Sequence, residues 1–126
     1  MPGRRILYIE DNPENRMLVR RVLMAEGYTV LEAADGPGGV RVAEETHPDL
    51  ILMDINLPEM DGYEVTSRLK RNPALARIPV IAMTANVMHG DREKSLAAGC
   101  DGYIQKPIDI DLLPQQIAKF LSRAQL

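Results

Sequence analysis

One stretch in the middle of the chain constrains the fold more than any other. Four apolar residues, Leu50-Ile51-Leu52-Met53, end abruptly in the carboxylate of Asp54. A short continuous apolar run between turn signals is typical of a strand that is buried on both faces of a sheet. Asp54 would then lie at the carboxyl end of that strand, where open α/β sheets place their ligand crevice. Because a buried carboxylate is costly unless its charge is compensated, this acid is a candidate for chemistry.

Similar apolar runs recur along the chain and alternate with helical patterns. Further strands are predicted at Arg5–Glu10, Tyr28–Ala33, Ile78–Met83, and Tyr103 with Ile104. Helices are predicted after Asn12-Pro13 and Asp35-Gly36-Pro37, around Val65 and Leu69, over Asp91–Ala98, and along Leu113, Ile117, Phe120 and Leu121. Five strands that alternate with five helices require a parallel sheet with right-handed crossovers. We therefore expect an α/β fold of the flavodoxin-like, doubly wound (βα)5 type, with a five-stranded parallel sheet.

The first helix has recognisable ends. Asn12 is a good N-cap, Pro13 suits the first helical position, and Gly27 is a plausible C-cap. The apolar stripe of this helix is predicted to consist of Met17, Leu18, Val22 and Met24. Asp61 is predicted to cap the third helix.

Polar residues follow the predicted strands at the points where they end. With the strand order 2-1-3-4-5, strands one and three are neighbours at the topological switch point. Glu10 and Asp11 would then meet Asp54 at one edge of the sheet. Thr84 and Lys106 would flank them from strands four and five. Five polar groups at the ends of four strands are difficult to attribute to chance, and we interpret them as one site.

Length and charge limit the remaining choices. The chain has 126 residues, which suits one domain over residues 1–126 with no room for an output domain. The net charge of −3 argues against binding nucleic acid or an anionic membrane. No apolar run approaches the roughly 20 residues of a membrane span. Cys100 is the only cysteine and cannot form an internal disulfide, so we expect a cytoplasmic protein.

The polar residues resemble those of a receiver domain of the two-component response-regulator family. The resemblance covers nearly the whole chain and rests on Glu10-Asp11, Asp54, Thr84-Ala85, Tyr103 and Lys106-Pro107. The layout is most similar to stand-alone regulators of bacterial cell polarity and division, and to the receiver modules of hybrid kinases. That narrower likeness rests on residues 84–92, TANVMHGDR, and on Ala98-Gly99-Cys100. The family also has the strand order 2-1-3-4-5, so the resemblance supports that order.

The resemblance implies a site that accepts a phosphoryl group. Asp54 would receive it from a histidine kinase or a histidine phosphotransfer protein. One Mg²⁺ would be held by Glu10, Asp11, Asp54 and the backbone carbonyl of Asn56. A hard divalent cation relieves the repulsion among crowded carboxylates, and Mg²⁺ prefers oxygen ligands.

The resemblance also assigns three residues to charge stabilisation and switching. Lys106 would supply positive charge to the phosphoryl oxygens, and the bond before Pro107 is usually cis in the family. The Thr84 hydroxyl would donate to a phosphoryl oxygen, and Tyr103 would then turn from exposed to buried. The face formed by the fourth predicted helix, the fifth strand and the last helix would change, and a downstream protein would bind to it.

Each of these residues also fits a plainer structural role. Glu10 fits the end of a strand, Asp11 and Thr84 fit helix caps, Asp54 fits a turn acid, Lys106 fits a solvated position, and Tyr103 fits the edge of the core. Cys100 is expected to be a small buried residue.

Other functions are less consistent with the sequence. A phosphatase with an aspartate nucleophile needs a second acid two residues later, where this chain has Asn56. A nucleotide hydrolase would need a glycine-rich phosphate loop, and a flavin module would not need three acids. We therefore expect a signalling switch that catalyses only its own phosphorylation and slow dephosphorylation, and not a turnover enzyme. A phosphorylation-independent scaffold and a receiver segment of a hybrid histidine kinase remain alternatives.

Overall fold

Buried strands and amphipathic helices alternate along the chain. The computed structural model describes residues 3–57, 60–85 and 97–124. Its strands are β1 (Arg5–Ile9), β2 (Thr29–Ala33), β3 (Leu50–Asp54), β4 (Val80–Thr84) and β5 (Gly102–Gln105). Its helices within these ranges are α1 (Pro13–Ala25), α2 (Gly36–Thr46), α3 (Gly62–Arg71) and the last helix, α4 (Leu113–Ala124). The predicted helix over Asp91–Ala98 falls mostly outside the described residues.

All five strands are parallel and form one sheet in the order β2-β1-β3-β4-β5, which confirms the predicted fold. Strand β3 lies at the centre between β1 and β4. Its register places Met53 beside Ile9 and Asp54 beside Met83. The carboxyl ends of β1, β3 and β4 therefore meet at one edge, as expected for neighbouring parallel strands.

The strands are apolar on both sides because each face of the sheet carries its own core. On one face, strand residues such as Leu7, Ile9, Ile51 and Met53 pack with residues of α2 and α3. On the other face, Ile6, Tyr8, Leu50 and Leu52 pack with residues of α1 and α4. Successive side chains on a strand point to opposite faces, so a strand between two helical layers needs no polar positions. All five residues of β3, including Asp54, are buried.

The predicted apolar stripe of α1 was only partly right, because Val22 packs half-buried against the core but the other three residues are exposed. The fully buried residues of α1 are Val19 and Leu23, whereas Met17, Leu18 and Met24 are 42%, 42% and 57% exposed. Residues four apart lie on the same helix face, and apolar residues occur around much of α1. The packing of α1 on the sheet therefore selected the stripe from several that the sequence allowed. The stripe of α4 was predicted correctly, with Leu113, Ile117 and Leu121 buried and Phe120 half-buried beside them.

Helix caps were predicted better than strand starts. The Asn12 side chain accepts from the first turn of α1, and Asp61 accepts from Glu64 N at 2.9 Å. The C-cap of α1 is Glu26, and the predicted Gly27 follows it with φ of +91°. Strand β4 starts at Val80 and not at Ile78, because the Ile78 amide closes a turn on Leu75 O at 3.0 Å. Cys100 is buried, as expected, with Sγ 3.4 Å from Thr66 Oγ1. Among the described residues, no helix has the length and apolar character needed to cross a membrane.

Candidate functional site

Three carboxylates meet at the carboxyl ends of β1 and β3. One carboxylate oxygen from each of Glu10, Asp11 and Asp54 lies within 4.8 Å of the others. Glu10 is 1% exposed and Asp54 is 4% exposed, whereas Asp11 is exposed. The parallel pairing of β1 with β3 brings them together, since Glu10 follows Ile9 directly and Asp54 ends β3. The structure therefore assembles the predicted acid cluster from two neighbouring strands.

Lys106 faces this cluster from the end of β5. Its Nζ donates to Asp54 Oδ2 at 2.8 Å and lies 3.9 Å from Glu10 Oε2. Its backbone amide donates to Thr84 O at 2.8 Å, which joins the segment after β5 to the end of β4. The Lys106–Pro107 peptide bond is cis, as the resemblance implied. Lys106 is thus a partner of the acids and not a solvated lysine before a turn.

Both oxygens of Asp54 accept hydrogen bonds. Oδ1 accepts from the Asn56 backbone amide at 2.9 Å, and Oδ2 accepts from Lys106. Burial alone would raise the pKa of the Asp54 carboxyl. The contact with the Glu10 carboxyl and the hydrogen bonds from Lys106 and Asn56 outweigh burial, so that this pKa is lowered from its usual value. Asp54 is therefore held as a charged carboxylate in a buried position.

Glu10 has the opposite balance. Burial, followed by the neighbouring Asp54 carboxyl, raises the pKa of Glu10 to about 7. Its Oε1 accepts from Asn15 Nδ2 at 2.8 Å, but no described residue donates a hydrogen bond to its buried Oε2. Burial also raises the pKa of the Tyr8 hydroxyl, to which Glu10 and Asp54 add. Burial and the neighbouring acids thus favour the protonated forms of both side chains.

The donor set fits a hard divalent cation. Carboxylate oxygens are the ligands that Mg²⁺ prefers, and two or three protein ligands are enough because the ion keeps several waters. A buried carboxylate oxygen without a hydrogen-bond donor, Glu10 Oε2, is what such an ion would satisfy. The geometry supports Glu10, Asp11 and Asp54 as ligands. The role of the Asn56 carbonyl stays a prediction.

Comparison with known proteins identifies the family. The sequence profile of the response regulator receiver domain matches residues 6–118. The chain belongs to this family. As a receiver domain, it is similar over 119 residues to the polar-differentiation response regulator DivK of Brucella ovis, with 44% identity, 94% of this chain and 97% of the relative covered.

Solved receiver domains have the same fold. The receiver domain of a sensor histidine kinase from Pseudomonas aeruginosa is 40% identical, with a TM-score of 0.88 over 95% of this chain and 98% of that one. It was crystallised with a magnesium ion coordinated in its active-site cleft. A CheY-like receiver domain protein from Methanospirillum hungatei is 29% identical, with a TM-score of 0.90 over 98% and 97% of the two chains.

The two predicted switch residues of this receiver domain differ in burial. Thr84 is fully buried at the end of β4. Tyr103, in β5, is half-buried and packs against the core on the α2 and α3 side. Its structural surroundings match a residue at the edge of the core, and its switch role stays a prediction. Residues 86–96, which include most of the run that carried the narrower likeness, lie outside the described residues.

Sequence reasoning missed two residues that hold Glu10. Besides the hydrogen bond from Asn15, the Glu10 backbone carbonyl accepts from Arg16 Nη1 at 2.6 Å. Both residues lie in the first turn of α1, four and five residues after Asp11 in sequence. A signal was present, since side chains near a helix N-terminus point back towards the chain that precedes the helix.

Proposed function

We propose that this receiver domain is a phosphoacceptor switch of a two-component or phosphorelay pathway, with Asp54 as the acceptor. The observation that carries this proposal is the environment of Asp54. It is a buried carboxylate of lowered pKa, within 4.8 Å of two other acids and bonded to Lys106 at 2.8 Å. Carboxylates that crowd together at one edge of a sheet destabilise the fold. A functional role for these acids would explain the arrangement.

The reaction needs only a carboxylate nucleophile and positive charge. An oxygen of Asp54 attacks the phosphorus of a phosphohistidine, a new O–P bond forms, and the N–P bond breaks. The electron pair of that bond stays on the imidazole, which takes a proton from solvent. Phosphoryl transfer depends mainly on positioning and charge stabilisation. Lys106, already 2.8 Å from Asp54, supplies a cation that can move to the transferred phosphoryl oxygens.

Magnesium is the proposed cofactor. Glu10, Asp11 and Asp54 would hold it, with the Asn56 carbonyl as a further ligand. When bound, it supplies positive charge that offsets both the crowded carboxylates and the phosphoryl oxygens. The magnesium ion in the similar Pseudomonas receiver domain supports this assignment.

The same site would work as a switch. In the proposal, the Thr84 hydroxyl donates to a phosphoryl oxygen, and this contact alters the packing around Tyr103. A bias of about 1.4 kcal/mol already changes the ratio of two states tenfold. A downstream protein would bind to the face made by the segment before β5, by β5 and by α4. The phosphoryl donor is a histidine kinase or a histidine phosphotransfer protein, as membership of the family implies.

The protein would not turn over a substrate. Its chemistry ends with its own phosphorylation and slow dephosphorylation, in the cytoplasm and without nucleic acid or membrane binding. The net charge of −3 agrees with this last point. A phosphorylation-independent scaffold is disfavoured, because the acids, Thr84 and the lysine are all present and the acids and lysine converge.

The test is incorporation of phosphate from acetyl phosphate, with acetate as the leaving group. We expect a mass increase of one phosphoryl group in the presence of MgCl₂ and none in the presence of EDTA. A protein that stays unmodified with donor and metal would contradict the proposal. Proteins captured by the phosphorylated form and not by an Asp54→Asn variant would then identify the downstream partner.

A further inference from the structure

Two asparagines at the start of α1, the N-cap Asn12 and the helical residue Asn15, have different roles. The Asn12 side chain caps the helix, and its Oδ1 accepts from Glu14 N at 2.8 Å and from Asn15 N at 3.1 Å. The Asn15 side chain instead donates from Nδ2 to Glu10 Oε1 at 2.8 Å. Capping explains Asn12 completely. It does not explain Asn15.

Asn15 occupies the third helical position, from which a side chain can reach back past the cap. In many helices a residue at this position bonds to the N-cap backbone amide. Here the side chain reaches two residues further back, to Glu10.

Glu10 is held at three of its four polar atoms. Its backbone amide donates to Ala33 O at 2.9 Å, its carbonyl accepts from Arg16 Nη1 at 2.6 Å, and Oε1 accepts from Asn15. The remaining atom, Oε2, is buried and has no hydrogen-bond donor among the described residues. It lies on the side of the carboxyl group nearer to Lys106, at 3.9 Å from Nζ. The hydrogen bond from Asn15 therefore decides which carboxylate oxygen is left for the acid cluster.

We propose that Asn15 is a positioning residue for the cation site: it anchors Glu10 Oε1, so that Oε2 is presented to a divalent cation. This proposal rests on the proposed magnesium-dependent function. Groups that hydrogen-bond to a metal ligand fix its orientation, and their loss typically weakens metal affinity by 10- to 100-fold. An amide suits this role because it donates a hydrogen bond without adding a charge. A lysine here would compete with the cation, and an aspartate would repel Glu10.

The experiment is calorimetric titration of the unphosphorylated protein with MgCl₂. In the Asn15→Leu variant, which keeps the branched shape of the side chain and has no donor, we expect the Kd for Mg²⁺ to rise about tenfold. The matched control is Asn12→Ala, which removes an amide from the same helical turn. It should lower the unfolding midpoint through loss of the cap and leave the Kd for Mg²⁺ within twofold of the wild-type value.

A second measurement separates positioning from a general structural effect. The rate of phosphate incorporation from acetyl phosphate is followed as MgCl₂ is varied. In Asn15→Leu the magnesium concentration for half-maximal rate should rise about tenfold, while the maximal rate stays within twofold of wild type. If Asn15→Leu does not fold, Asn15→Ala replaces it in both measurements.

The outcomes are distinct. An unchanged Kd in the folded Asn15 variant, or a reduced maximal rate with an unchanged magnesium requirement, overturns the positioning role and leaves the proposed function intact. Failure of the wild-type protein to bind Mg²⁺ overturns the proposed function and the positioning role together.

Discussion

Two lysines of this receiver domain form ion pairs of the same length but differ in the charges and hydrogen bonds around them. Lys70 Nζ donates to Asp101 Oδ2 and Lys106 Nζ donates to Asp54 Oδ2, both at 2.8 Å. The side chains of the two lysines are 19% and 22% exposed. The length of the ion pair and the exposure of the cation therefore cannot separate a structural pair from a functional one.

The surroundings of Lys70 are balanced. Its ammonium also donates to the carbonyls of Ala76 and Ile78, at 3.1 and 2.9 Å. The same oxygen of Asp101 accepts from Val80 N at 2.8 Å, and this side chain is 47% exposed. One cation, one anion and backbone groups satisfy one another, and the result ties the loop after α3 to the start of β4.

The surroundings of Lys106 are not balanced. Its partner Asp54 is 6% exposed in the side chain, Glu10 Oε2 lies 3.9 Å away, and Asp11 completes a group of three acids. Crowded anions raise the energy of the protein unless more positive charge arrives. The charge balance of the whole group, and not the salt bridge itself, therefore distinguishes the acid cluster at Lys106 from an ordinary ion pair.

The largest difference between the two ion pairs is expected when their aspartates, Asp54 and Asp101, are replaced. Asp54→Asn should abolish phosphate incorporation from acetyl phosphate with Mg²⁺, because it removes the nucleophile. The matched variant Asp101→Asn should incorporate phosphate normally and lose about 1 kcal/mol of stability with its ion pair. Mass spectrometry and urea unfolding measure the two effects. Full incorporation by Asp54→Asn would falsify the assignment.

The next largest effect is expected for Asp11, which is the third acid of the cluster that Lys106 faces. Asp11→Asn should raise the Kd for Mg²⁺ by about tenfold or more, since it removes a charged oxygen ligand. The fold should be unaffected, because Asp11 is exposed. A calorimetric titration identical to that of the wild type would remove Asp11 from the site.

Truncation of the two lysines should have opposite consequences. Lys70→Ala leaves two carbonyls without their donor, so we expect a loss of about 2 kcal/mol in unfolding free energy and normal phosphorylation. Lys106→Ala should keep the fold, as judged by circular dichroism, and lose the ability of partners to distinguish the phosphorylated form. Normal partner discrimination by Lys106→Ala would contradict its role in switching.

The smallest effect is a pH dependence from Glu10 in the metal-free protein. Its pKa is raised from 4.5 to about 7, so the folded state holds a proton that the unfolded state has released. The stabilisation from this proton is complete below pH 4.5 and is lost as the pH rises through 7. Stability without Mg²⁺ should fall by about 2 kcal/mol between pH 5 and pH 8. Urea unfolding of Glu10→Gln, which cannot titrate, should lack this decline; an equal decline in both proteins would assign it to other groups.

Much of the site could be predicted because strand ends are local features. Apolar runs that stop at an acid or a threonine indicate where a buried strand meets solvent, and parallel strands bring those ends together. Asp54 and the Glu10-Asp11 pair were found in this way. The residues that form the core were harder to predict. Helix α1 buries Val19 and Leu23, while Met17, Leu18 and Met24 face outward. Several stripes fit the same helix, and only contact with the sheet chooses one.

The amino-acid sequence by itself determined the order of strands and helices along the chain and the edge of the sheet where the acids gather, since both follow from short-range patterns of apolar and polar residues. It also indicated the family, through the resemblance of its motif residues. Only the tertiary structure decided that Glu10 is buried and Asp11 is exposed, that Asn15 holds Glu10, and that Lys106 faces three acids while Lys70 closes a loop. The physical reason is that burial and charge balance depend on groups far apart in the chain. Lys106 and Asp54 are 52 residues apart in sequence and 2.8 Å apart in space.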